Sequence, residues 1–503
     1  MLKILSRKKI DFTSGPLFWP LLSFMVPIVL TTLLQVLYDT ADKIVVGQFS
    51  GDPNALGAIG STTFISNLMI NFMVGIGAGA GVVVAQAFGA KRHDEVSRTT
   101  HNAFILGLGL AVVITIVAYS TAIPMLKLLD TKEEVFDSAL LYINIIYSSI
   151  LATAIYNIGA SVLRAVGDST TSLNIGLISG LINVILNIFF VVVCGMSVAG
   201  VAIATVISKY YSAAAVIIHL YKKKGESYAF DPKKLIPHKG SILRMLRLGI
   251  PTGLQSACFS LANLASVAAI NSFDGTVYIS ARSIATDIDH FTSAIAGAFL
   301  PATLNATGQN AGARRPDRIK RIFFYSIIQA TVIVGVISNL FKIFSGELSL
   351  LFIEANDPFL AEKVAAVKVW SQRLLTLQFL LGVLNAATGV IRGLGYSMLP
   401  LIFNLIGTVG SRLAWVYLVF FRIETRTLED FRTLSAMYPI SWGVTAVLIG
   451  ALCIVAFVRL EKDIKNQALA IGTEQEADGE TQQDDIEAES VNVGAKTAGD
   501  TEK

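Results

Sequence analysis

Two stretches of this chain return further along it, and a duplication constrains a fold more tightly than any composition. Leu163-Arg164-Ala165-Val166-Gly167-Asp168-Ser169 returns as Ile391-Arg392-Gly393-Leu394-Gly395-Tyr396-Ser397. Gln86-Ala87-Phe88-Gly89-Ala90-Lys91-Arg92 returns as Gln309-Asn310-Ala311-Gly312-Ala313-Arg314-Arg315. Pro27, inside the first apolar stretch, has a counterpart in Pro251. The offsets are 228, 223 and 224 positions, so the spacing is kept along with the motifs. The chain reads as two homologous halves joined near residues 222–242.

A hydrophobic content of 53%, a charged content of 15% and a mean hydropathy of +0.63 exclude an ordinary soluble globule. Apolar runs long enough to cross about 30 Å of hydrocarbon fall near residues 17–47, 55–86, 96–124, 135–161, 169–194, 198–221, 243–271, 278–308, 318–345, 360–388, 398–421 and 434–458. The first, second, seventh and eighth are long enough to tilt or to extend past the bilayer. Gly75, Gly77, Gly79 and Gly81 read as close helix packing through small residues. As a dinucleotide fingerprint they lack a preceding strand and a following acid, and without a Walker A sequence direct ATP drive is unsupported. Cys194, Cys258 and Cys453 have no CxxC spacing, which argues against a disulfide framework or a zinc site.

Charge gives the orientation. Lys3, Arg7, Lys8 and Lys9 precede the first run, which lacks a small-residue cleavage site and reads as an uncleaved span. With that end inside, the inside connections hold Lys91, Arg92, Lys222, Lys223, Lys224, Arg314, Arg315 and Arg318, while acids such as Asp130, Glu133, Glu354 and Asp357 fall outside. This is the positive-inside pattern. It implies a multi-pass protein of the cell (inner) membrane with both termini cytoplasmic. Six spans per half give the halves the same orientation, related by an axis along the membrane normal, with a transport pathway between them. The expected fold is an all-α membrane protein with twelve transmembrane helices in two pseudo-symmetric six-helix bundles. Residues 1–221 form the first bundle, 222–242 a cytoplasmic linker and 243–458 the second bundle. Residues 459–503 form an acidic cytoplasmic tail. Residues 466–503 carry ten acids and two bases and no aromatics, a composition that favours disorder.

An ionisable group inside a span is costly and marks a functional position by default. Asp42 is the first candidate for cation coupling: a carboxylate held away from water can take up and release a proton. Asp39 precedes it by one turn and is spaced i,i+4 from Lys43, in the favourable order for a local ion pair. That pair would neutralise Asp39 and leave Asp42 free; alternatively all three sit at the outer interface. In the fifth span Asn183 and Asn187 share one face, where amides either coordinate a cation or join helices. The eighth span holds Arg282, Asp287, Asp289 and His290 within nine residues. These form either a self-satisfied ionic network or a second polar site facing a cavity. Lys209, Arg373 and Arg412 are explained by snorkelling or pairing.

The segment Tyr38-Asp39-Thr40-Ala41-Asp42-Lys43-Ile44-Val45-Val46-Gly47, with the repeated QxxGA and LRAxGD/IRGxGY turns, resembles the multidrug and toxic compound extrusion (MATE) family, particularly its bacterial DinF-like branch. The resemblance covers about residues 15–460. It implies a secondary active antiporter with a central cavity, exporting organic cations, drugs or lipophilic compounds in exchange for protons or sodium ions by alternating access. The family's first-helix aspartate matches Asp42 and is linked to proton or sodium binding. The resemblance implies no enzyme activity, cofactor, resident metal or nucleic-acid partner, and a chain complete as a monomer in the lipid bilayer. Two departures stand out. Asn187 occupies a place where related proteins often carry an aspartate. The seventh and tenth spans also lack the acids that the NorM-like branch uses. A lipid-linked saccharide flippase of the same broad transporter group is the alternative, and would favour a strongly basic cavity.

Overall fold

A computed structural model describes residues 9–52, 54–129, 131–273, 276–353 and 356–462, apart from the side chains of 260–262, 264 and 265. The acidic tail from residue 463, together with Lys3, Arg7, Lys8, Asp130 and Glu354, lies outside the described residues.

Hydrocarbon offers the backbone no hydrogen-bond partners, so each apolar run satisfies its own amides by becoming a helix. The spans are α1 (Phe18–Phe49), α2 (Ala55–Gly89), α3 (His93–Leu128), α4 (Glu133–Tyr147 and Ile150–Ala165), α5 (Thr170–Val193), α6 (Val198–Lys222), α7 (Lys239–Ile270), α8 (Val277–Gly312), α9 (Pro316–Ile343), α10 (Leu360–Gly393), α11 (Met398–Arg422) and α12 (Leu428–Lys462). Among the described residues nine of these are long and apolar enough to cross a bilayer by themselves, and α4 makes ten when its two pieces count as one. The remaining two, α7 and α8, have 32 and 36 residues and so have the length. Their polar residues keep them below that apolarity, and they lie where the two halves meet.

The fourth span of each half is broken. In α4 the hydroxyls of Ser148 and Ser149 turn back to the carbonyls of Ile145 and Ile146 at 2.6 and 2.7 Å, and the helix bends by 46°. In α10 the first piece ends at Thr376 and the second begins at Phe379, with Gln378 in the gap.

The repeated motifs fold into repeated geometry. Lys91 and Arg314 both adopt the left-handed conformation, with φ of 57° and 55°. Each closes its helix with the same pair of backbone bonds: Lys91 to Phe88 and Arg92 to Ala87, Arg314 to Ala311 and Arg315 to Asn310. Gly167 and Gly395 match likewise, with φ of 87° and 98°. The two copies also reach across to each other. Gln86 Nε2 donates to the Gly393 carbonyl and Gln309 Nε2 to the Ala165 carbonyl, both at 2.8 Å. This exchange of equivalent bonds is what a pseudo-twofold axis between the halves produces.

The expected small-residue packing in α2 divides between two neighbours: Gly77 and Gly81 face Ser161 of α4, and Gly75 and Gly79 form the crossing of the two halves. A Cβ on Gly75 would meet the backbone of Gly253 on α7, and one on Gly79 would lie 2.5 Å from Gly249 N and 2.8 Å from the Met245 carbonyl. Backbone touches backbone there, which only glycine allows. From Gly75 to Gly89 all of α2 except Ala78 and Phe88 is buried, as is α8 from Ala302 to Asn310. At the other end Leu37, Asp39, Thr40, Lys43 and Ile44 of α1 are exposed. The halves are therefore closed together at the end bearing the basic turns 90–92 and 313–315, while this face of α1 is uncovered at the opposite end.

Candidate functional site

α1 packs against α5. A Cβ on Gly180 would run into the Tyr38 ring, so glycine lets the two helices approach, and the Tyr38 hydroxyl donates to the Leu177 carbonyl at 3.3 Å. Further along, α5 changes from α-helix to π-helix at Ile188. Asn187 is the last α-helical residue before that change. Such wide turns occur often at functional positions because they re-aim a side chain without ending the helix.

At that junction the Asn187 amide donates a short hydrogen bond to Asp42 Oδ1. The same nitrogen lies 3.4 Å from Asn183 Oδ1, and Asn183 Nδ2 donates to Thr205 Oγ1 on α6 at 3.3 Å. Asn183 and Asn187 are buried, while Asp42 is half-buried. Asn187 Oδ1 is buried and has no hydrogen-bond partner among the described residues. A carboxylate beside a buried, unused amide oxygen offers two oxygen donors to a hard cation, or an acceptor to a protonated carboxyl. Three of the four predicted coupling residues thus come together, on α1 and α5.

Asp39 is the exception. It is exposed, is not part of this cluster, and forms no salt bridge with Lys43 among the described residues. The i,i+4 spacing permits that pair, but Asp39 instead sits in the common field of Lys209 on α6, Lys43, and His290 on α8 of the other half.

The eighth span forms a different network from the expected one. Arg282 pairs with neither Asp287 nor Asp289 among the described residues, and its Nε is buried without a partner. Asp289 is held instead by neutral groups. Gln378, in the gap of α10, donates to Asp289 Oδ1, Ser293 donates to Oδ2 at 3.0 Å, and Thr292 donates to Gln378 Oε1 at 2.9 Å. Asp287 takes no part. Arg412 is paired as expected, with Ser441 at 3.1 Å and Asn263 at 3.0 Å, and its guanidinium stacks on Tyr438.

Sequence reasoning missed Thr205, Gln378 and Ser293. Thr205 and Ser293 are common helix-surface types with no signal of their own. Gln378 had one: a polar residue in the tenth span at the place where the fourth span of the first half carries its Ser148-Ser149 break.

Twelve spans in two pseudo-symmetric bundles, with a carboxylate–amide cluster inside the first, have the architecture of a membrane transporter. The signature of the MatE family matches residues 27–189 and 251–418, once in each half, so the chain belongs to that family. It is 25% identical over 447 residues to the probable multidrug resistance protein YoeA of Bacillus subtilis, covering 87% of this chain and 93% of that one. It is likewise 25% identical over 425 residues to the probable multidrug resistance protein NorM of Thermotoga maritima, covering 80% and 86%. A solved outward-facing conformation of a multidrug resistance MATE family transporter of the MOP superfamily superposes with a TM-score of 0.81 at 21% identity. It covers 91% of this chain and 99% of that one.

Proposed function

We propose that this chain is a secondary active antiporter that exports organic cationic or lipophilic compounds, drugs among them, in exchange for protons or sodium ions. The observation that carries this reading is the Asp42–Asn187–Asn183 cluster, placed on spans of one bundle while the bundles are tied together at the basic end. The relatives named as multidrug resistance proteins supply the substrate class. The basic end is the cytoplasmic face, with both termini on that side of the cell (inner) membrane. Residues 1–221 and 243–458 are the two moving units, 222–242 joins them, and one chain in the bilayer suffices.

In this mechanism the bundles rock between two states, and occupancy of Asp42 by a proton or cation favours one while substrate favours the other. One pH unit is worth about 1.4 kcal/mol. Exchanging one proton for one monovalent cation moves no net charge, so the membrane potential adds nothing and substrate is concentrated about tenfold per pH unit. With Asn187 in place of a second carboxylate, the first-bundle site carries one charge per cycle. Asp289, held by Gln378, Ser293 and Thr292, is a second intramembrane carboxylate. We assign it to the second bundle's polar site, with Asp287 and Arg282 outside that hydrogen-bonded cluster.

The test is dye efflux from proteoliposomes with a pH gradient or a sodium gradient imposed separately, for wild type and Asp42→Asn. Efflux driven by one gradient and lost in the variant supports the reading and names the ion. Normal efflux by Asp42→Asn removes Asp42 from coupling. Silence of the wild type under both gradients, with translocation of a lipid-linked saccharide, replaces the antiporter by a flippase.

A further inference from the structure

The segment ahead of the first span does not trail away from the molecule; it lies across the seam between the bundles. Ile10 N donates to the Gly167 carbonyl at 3.1 Å, and Lys9 forms a 2.5 Å salt bridge with Glu226 while its ammonium sits over the Tyr228 ring. Those partners belong to α4's closing turn and to the residues just after α6. Three residues later the partners belong to the other bundle. Phe12 N donates to Gln309 Oε1 at 3.0 Å, and Asn310 Nδ2 donates to the Phe12 carbonyl at 3.0 Å. Arg318 on α9 then donates to the carbonyls of Phe12, Ser14 and Gly15 at 2.8, 2.9 and 3.0 Å. Asp11 shapes the segment for this, accepting from Thr13 N and from the hydroxyls of Thr13 and Ser14. The Phe12 side chain is fully buried, edge-on to Phe24.

Gln309 is the residue whose amide nitrogen already ties the two halves by reaching Ala165. Its two ends are thus used by two different cross-bundle contacts, one with α4 and one with the strap. The consequence is mechanical. Residues 9–15 are fastened to the first bundle and its linker at one end and to the second bundle at the other. The bundles cannot part at the basic end without breaking one of the two fastenings.

We propose that residues 9–15 are a latch that holds the transporter shut at its basic end, and that each transport cycle releases it. Arg318 is the positioning residue that anchors it on the second bundle. The inference rests on the alternating-access reading for its role in transport, whereas the closure itself is tested without any transport.

Two measurements decide it. Spin labels at the exposed Arg98 on α3 and Arg321 on α9 report the separation of the bundles at that end. Removal of residues 2–15 is expected to increase the population with a long label separation about tenfold or more, and Arg318→Gln several-fold, the scale of losing charge-assisted hydrogen bonds. An unchanged distance distribution in both variants overturns the latch. Separately, with the three natural cysteines replaced by serine, paired cysteines are placed at Lys9 and Glu226 in one variant and at Ser14 and Arg318 in another. Oxidation is expected to arrest dye efflux in at least one of them and reductant to restore it, and the arrested variant shows which fastening lets go. Full efflux by both oxidised variants overturns the latch. Absence of efflux in reduced wild type tells against the antiporter reading, and the label distances still judge the latch.

Discussion

Gly79→Ala tests how the two halves are held together. The added methyl would lie 2.5 Å from Gly249 N, 2.7 Å from Gly249 Cα and 2.8 Å from the Met245 carbonyl. All three are backbone atoms of α7, so no side chain can rotate out of the way, and α2 and α7 must move apart. Overpacking of this kind costs about 1–3 kcal/mol. If the crossing loosens when the basic end opens, that cost falls on the closed state alone and shifts the two-state balance by about 5- to 150-fold. If the crossing is kept throughout the cycle, both states bear it and the melting temperature falls instead. Label distances between Arg98 and Arg321, together with a thermal melt, separate these outcomes. Gly60→Ala is the control, because a Cβ there meets nothing within 4 Å. A Gly79→Ala protein with wild-type distances and wild-type melting would refute the backbone contact itself.

Asn187→Leu removes the amide that donates to Asp42 and should weaken coupling-ion affinity by about 10- to 150-fold, the range for a hydrogen bond to a charged group; ion titrations of efflux read this, and an unchanged half-saturation contradicts it. Gln378→Leu strands Asp289 and Thr292 and should cost about 1–3 kcal/mol of stability. Adding Asp289→Leu should recover part of the loss in a thermal melt, since the pair is then removed together, and strict additivity would show that the two side chains do not interact. The Asp11 carboxyl is pushed up by burial, but the bonds from Thr13 and Ser14 and the charge of Arg318 outweigh this and hold it below its ordinary value. A lowered folded-state pKa stabilises the strap above the unfolded value of about 3.9 and is lost as pH falls through the folded value. Amide-exchange protection of residues 12–15 should therefore stay level from pH 7 to about pH 5 and drop only below about pH 4, while Asp11→Asn lowers it at every pH; equal protection in that variant would remove Asp11 from the strap.

The parts of this fold that were legible in the sequence are those a one-dimensional pattern encodes. Apolar length located the spans, and motif spacing located the halves, because Lys91 and Arg314, or Gly167 and Gly395, must repeat a turn that only certain residues close. Asp42, Asn183 and Asn187 were legible because polar groups in apolar runs need partners, and the fourfold spacing of the two amides set them on one face. What the sequence concealed depends on where helices meet. Asp39–Lys43 has ideal spacing, yet the pair forms no salt bridge among the described residues, and nothing in spacing says so. Arg164 and Arg392 count among the basic residues of the inner connections, but Arg392 is buried and donates to Gln255 at 2.5 Å. A long side chain at a helix end points back along its helix, so its charge is delivered to the interior rather than to the surface.

The closed end is rich in bonds of this kind, which form only where helices of the two halves meet. Gln86 and Gln309 read as turn residues in each copy, and within one half neither has an obvious partner. Their partners, the Gly393 and Ala165 carbonyls, exist only once the second copy is rotated onto the first. Duplication makes such contacts come in pairs, one from each half, so a single favourable geometry is used twice. The strap breaks that pairing. Residues 9–15 cross the seam at Gln309, Asn310 and Arg318, and they precede α1, whereas the corresponding segment before α7 is the linker, whose Ile236 and His238 bind Asn102 of the first bundle. The asymmetry follows from connectivity: the linker joins the last span of one half to the first span of the other, whereas residues 9–15 are held across the seam by side-chain and backbone hydrogen bonds and one salt bridge. A transporter built from equal halves thus acquires a preferred closed end from the segments ahead of α1 and α7, where the two copies differ most in how they are connected.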